Sequence, residues 1–108
     1  MNGGAVPDLE VNRSLRKVFV RHWIDIGRLF ISVSRGNVLV RGILQMLPGA
    51  EEPLTSAMLV IIFRELRSCN GVREITTAVA NWEQISADGF WRPKAVTEEL
   101  KGELWAKP

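Results

Sequence analysis

Apolar and polar residues are patterned along the chain in ways that specify structure before any chemistry is considered. From Leu9 to about Trp23, at about 100° per residue, Val11, Leu15, Val18, Phe19 and His22 gather on one face, and Arg13, Arg16, Lys17 and Arg21 on the opposite one. This is an amphipathic helix with a basic outer surface, and Asp8 is placed to cap it. From Leu29 the pattern changes to alternation: Leu29, Ile31 and Val33, then Val38, Val40, Gly42 and Leu44 point one way. With Arg35-Gly36 as a two-residue turn, Val33 faces Val38, Ile31 faces Val40 and Leu29 faces Gly42. A glycine second in the loop suits the primed turns that match strand twist. The other face of this hairpin carries Phe30, Leu39 and Ile43 among Arg28, Ser32, Ser34, Arg41 and Gln45, so it is mixed rather than polar.

The prolines and glycine of residues 47–53 then break the chain. Thr55 or Ser56 opens a second helix that reaches Cys69, with Asn70-Gly71 as a left-handed stop. Its core stripe is Met58, Leu59, Ile62, Leu66 and Cys69, but Val60 and Ile61 lie off that stripe, so the helix needs a second layer of cover. A third strand follows, with Ile75, Thr77 and Val79 on one face and Thr76, Ala78, Ala80 and Trp82 on the other. Whether it pairs beside the first or the second hairpin strand is open, since a helical crossover allows both. Beyond Gln84, residues 86–89 read as a turn, Phe90-Trp91-Arg92-Pro93-Lys94 as an aromatic-basic loop, and Val96, Leu100 and Leu104 as a short final helix.

The elements sum to an α+β fold of order α-β-β-α-β: a three-stranded sheet with two helices on one face, plus a C-terminal extension. Residues 1–8 form a disordered lead-in, 9–82 the domain, and 83–108 an extension laid over it by Phe90, Trp91, Leu104 and Trp105. The 108 residues suffice for one modest core. A net charge of +2 does not argue for nucleic acid, although the pI near 9.1 leaves it open. One cysteine makes no internal disulfide. The N-terminus lacks a signal-peptide pattern, and no apolar run nears the ~20 residues that span a bilayer, so a cytoplasmic location is expected, with the membrane periphery open to it.

The hairpin Ile31-Ser32-Val33-Ser34-Arg35-Gly36-Asn37-Val38-Leu39-Val40-Arg41-Gly42, Ala57 and Ile61 in the helix, and Asn70-Gly71-Val72 with Ile75 next resemble the BON domain family over roughly Val11 to Asn81. The resemblance implies a small α/β module of bacterial proteins that binds phospholipid or mediates contacts and is not an enzyme. Here it is a single copy with a tryptophan-bearing extension after Trp82.

Reactive chemistry is sparse. His22, the only histidine, lies on an apolar helix face with no acid and nucleophile pattern beside it, which favours a hydrogen-bonded structural role. Cys69 falls on a core stripe, as an inert thiol does, and no CxxC or HxxxH spacing offers a metal site. Glu51-Glu52 reads as a solvated loop pair. No cofactor is expected, as GxGxxG and Walker-type loops are absent. A KH-like nucleic-acid module shares the element order but needs a GxxG clamp that is missing. The binding candidates are therefore Arg13, Lys17, Arg21, Phe90, Trp91, Arg92 and Lys94 for an anionic phospholipid surface. Phe30, Leu39, Ile43, Val60 and Ile61 are the candidates for a protein partner or a second copy. The four tryptophans, Trp23, Trp82, Trp91 and Trp105, serve equally as edges of the core.

Overall fold

The computed structural model describes residues 6–85 and 89–94. The expected final helix, the turn at 86–88, Trp105 and the start of the lead-in lie outside them.

Helix α1 (Asp8–Arg21) precedes a one-turn 3₁₀ helix at Ile26–Arg28 and the hairpin β1 (Leu29–Ser34) and β2 (Asn37–Gly42). Helix α2 (Ser56–Arg67), strand β3 (Glu74–Val79) and a second, short pair β4 (Trp82–Gln84) and β5 (Trp91–Pro93) follow. The fold is α+β: a mixed sheet of order β1-β2-β3 with a separate two-stranded sheet. The hairpin takes the register that alternation dictates, with Val33 opposite Val38, Ile31 opposite Val40 and Leu29 opposite Gly42. Arg35 and Gly36 both have positive φ (53° and 83°), the signature of a type I′ turn. Strand β3 runs parallel to β2, so β2 is central. Its Val38 and Val40 are buried, while Ile31 and Val33 on the edge strand are only partly covered.

Both helices bury their apolar stripes against the face bearing Leu29, Val38, Val40 and Val79. Phe19 of α1 meets Phe63 of α2 edge-on, with ring centroids 6.1 Å apart. Thr55 caps α2 by accepting from the Met58 N–H (3.2 Å). Asp8 does not cap α1. Pro7 occupies that position, its carbonyl accepting from Glu10 and Val11, and Asp8 Oδ2 instead accepts from the Arg35 N–H at 3.3 Å. Of the residues expected to be a lead-in, Val6 packs against the core and Asp8 begins α1.

Strand β2 stops at Gly42 because the chain bends there. Gly42 has φ +104°, and a Cβ on it would stand 2.2 Å from the Arg28 carbonyl oxygen, a conformation and an approach that only glycine tolerates. Leu44 is nonetheless fully buried, as its alternation requires. Its ladder is completed by a side chain: Asn81 Nδ2 donates to the Leu44 carbonyl (2.7 Å) and the Leu44 N–H donates to Asn81 Oδ1 (3.0 Å).

The extension supplies the second layer that α2 needs. Trp91, 3% exposed, packs on Phe63 with centroids 4.6 Å apart, and its N–H donates to Ser56 Oγ. Val60, one turn on from Ser56, is therefore partly buried against the core and does not belong to an open interaction surface; Ile61 does, at 49% exposed.

Candidate functional site

Three surfaces carry the candidate residues. The first is the outward face of α1. Leu9, Arg13, Arg16 and Val20 follow one another at spacings of four, three and four residues, with Lys17 beside them, all on the side opposite the buried Val11, Leu15, Val18 and Phe19. Leu9 is 65% and Val20 50% exposed. Arg13, Arg16 and Lys17 make no ion pair among the described residues.

Trp23, 63% exposed, extends this face past the end of the helix. The end is a Schellman turn: the Trp23 N–H donates to Val20 O and the Ile24 N–H to Phe19 O, both at 3.0 Å. The residue at the turn has φ +65°, a position that normally selects glycine or asparagine. Tryptophan is held there by its neighbours. Its carbonyl accepts from Leu47 N–H at 2.8 Å, the Asp25 N–H donates to Gln45 O at 2.9 Å, and Ile24 bridges to Met46. A large exposed ring is thus carried on backbone that normally selects glycine, and the surrounding backbone hydrogen bonds hold that conformation.

Arg21 belongs elsewhere. Its guanidinium donates to one oxygen of Glu65, while His22 Nε2 lies 2.6 Å from the other. Those two hydrogen bonds, His22's foremost, hold the Glu65 carboxyl below its ordinary pKa despite its partial burial. The pair ties the end of α1 to α2. It also answers the question raised by the lone histidine, whose partner is a positioned carboxylate. Cys69 is half-buried, its thiol donating weakly to Glu65 O (3.5 Å), and burial pushes its pKa up, so it is a poor nucleophile.

The second surface is the β4–β5 hairpin, with Phe90 next to its turn and Lys94 at its opposite end. Phe90 is 71% exposed and Lys94 is exposed, whereas Arg92 donates twice to Glu83 Oε2 (3.1 and 3.2 Å). Trp91 is lost to this surface, because its ring completes the core; its indole N–H is buried without a hydrogen-bond partner among the described residues. An aromatic-basic loop is thereby reduced to one exposed aromatic, Phe90, and one cation, Lys94, without an ion pair among the described residues.

The third is the open face of the main sheet. Phe30 is 62% exposed with the Arg41 guanidinium 5.9 Å from its ring centre, and Leu39 and Ile43 are half-buried. Among the described residues no group of three or more histidines, cysteines and carboxylates is placed to hold a metal, and no helix is long and apolar enough to cross a membrane.

Sequence reasoning took Arg13 and Lys17 as binding residues, placed Arg16 on the same basic face without taking it as one, counted Trp23 only among the tryptophans at the edges of the core, and passed over Leu9 and Val20. Those two were legible as positions four residues before and seven after Arg13, had the outer face been read for apolar as well as charged residues. Trp23 had no signal, since nothing local says that a tryptophan will occupy a left-handed turn. Compared with known proteins, the chain matches no family model, no curated protein and no solved structure.

Proposed function

We propose that this protein is a non-enzymatic binding module of BON type that docks on anionic phospholipid surfaces through the outward face of α1. The single observation that carries this reading is the composition of that face: exposed Leu9, Val20 and Trp23 surrounding Arg13, Arg16 and Lys17, which make no ion pair among the described residues. Basic residues near an anionic surface each contribute about 1 kcal/mol, and shallow insertion of aliphatic and indole side chains adds apolar burial. The helix is presented rigidly, because its other face is buried and its end is tied to α2 through Glu65. Phe90 and Lys94 are secondary contacts at most, and Arg21 acts as a strut.

One observation favours a second reading, contact with a protein or a second copy: the open sheet face with Phe30, Leu39 and Ile43, on the side of the sheet away from the helices. Vesicle flotation separates the two. At low salt the wild type should float with anionic and not with neutral vesicles, and charge reversal at Arg13→Glu, Arg16→Glu and Lys17→Glu should reduce partitioning by roughly a hundredfold. A folded wild type that stays with the unbound fraction would overturn the lipid reading and pass the question to self-association, measured by sedimentation with Phe30→Ser as the comparison.

A further inference from the structure

A cleft of about 450 Å³ opens between the end of α1, the loop at residues 46–52 and the first turn of α2. Its size lies within the range that holds small ligands. Trp23, Met46 and Met58 form its apolar part, and Glu51 and Glu52 its carboxylate part. Arg21 and His22 also border it, and the Glu65 carboxylate that both hydrogen-bond offsets the arginine's charge. The charges left unspent are the two carboxylates, neither of which makes an ion pair among the described residues.

We propose that this cleft binds a small organic cation, an alkylammonium head lying between the Trp23 ring and the Glu51 and Glu52 carboxylates with its hydrocarbon part against Met46 and Met58. The chemistry follows from what the lining offers. Indole is the aromatic ring that attracts cations most strongly through its face, and carboxylates at a site walled by apolar groups attract them further. An inorganic cation is served poorly, because the cleft holds two carboxylates and no third oxygen-bearing acid, while thioethers and indole suit hydrocarbon. The Schellman turn fixes the position of Trp23, and the hydrogen bond from Leu47 N–H to its carbonyl fixes the loop opposite it. The backbone that carries the site is therefore in place before a ligand arrives. It shares Trp23 with the lipid reading but uses none of Arg13, Arg16 and Lys17, so charge reversal on α1 separates the two.

The chain has three methionines, so methyl spectra of methionine-labelled protein are simple enough to assign. Titration with choline chloride, n-butylammonium chloride and Nα-acetyl-lysine amide should shift the Met46 and Met58 methyls saturably with at least one probe. The probe that binds tightest tells whether a quaternary head, a free primary amine or a lysine side chain is preferred. Glu51→Gln/Glu52→Gln, two exposed loop changes that spare the core, should weaken that binding about tenfold. The charge-reversed α1 variant should keep it. The proposal is overturned if no cation gives a saturable shift, if the double glutamine variant binds as well as wild type, or if the neutral isostere of choline, with carbon in place of nitrogen, binds equally tightly.

Discussion

The two hairpins of this protein are stabilised in opposite ways. The β1–β2 hairpin pairs six residues with six, turns through Arg35-Gly36 and alternates throughout, so its register is written in its own residues. The β4–β5 hairpin pairs three with three, too few for a period to be visible, and it holds its place through individual side chains. Trp91 packs on Phe63, Ser56 accepts from the Trp91 N–H, and Asn81, the residue that completes the ladder at Leu44, also accepts the Lys94 N–H at its carbonyl. A repeated pattern distributes stability over many weak choices, whereas an anchored hairpin concentrates it in two or three residues.

Substitutions should expose that difference. The largest effect is expected from Trp91→Ala, about 3 kcal/mol of lost stability in denaturant unfolding, with amide exchange at Ile85 and Lys94 rising to the rate of an opened hairpin. Trp91→Phe should cost clearly less, because it keeps the contact with Phe63 and removes a buried donor that has no partner among the described residues. Next comes Asn81→Ala, which leaves both polar groups of buried Leu44 unpaired and should cost about 2 kcal/mol.

A smaller change, about 1 kcal/mol, is expected for Glu65→Gln, and it carries a pH signature. Because the Glu65 carboxyl is held below its ordinary pKa, its contribution is fully present above that ordinary value and is lost as pH falls through the lower folded value. Acid titration of stability should therefore fall more steeply below about pH 4.3 in the wild type than in Glu65→Gln. The smallest effect has the opposite sign: Arg35→Asn places the favoured Asn-Gly pair in the turn and should stabilise by about 0.5 kcal/mol in thermal unfolding.

The same contrast explains what was legible in the sequence. The α+β class, the register of the first hairpin, the Thr55 cap and the inward set from Leu29 to Leu44 all follow from periodicity and turn chemistry. The place of β3 beside β2 was not legible, because it depends on which edge the crossover reaches. Trp91 was read both as cover for the domain, which the structure shows, and as a surface anchor, because Phe-Trp-Arg-Pro-Lys has no alternation to separate the exposed Phe90 from its buried neighbour. Arg21 shared a helix face with Arg13 and Lys17, yet its acid partner lies 44 residues away on α2. Long-range pairing of single side chains leaves no trace in local pattern, and it is what distinguishes the strut at the end of α1 from Arg13, Arg16 and Lys17, which have no ion pair among the described residues.

The central claim, that α1 and not the β4–β5 hairpin meets the lipid surface, is tested most directly by tryptophan quenching with vesicles of anionic lipid brominated on the acyl chains. Wild type should be quenched on binding, and Trp23→Phe should bind yet lose most of that quenching. Undiminished quenching in Trp23→Phe would contradict the account and place the contact on another part of the molecule.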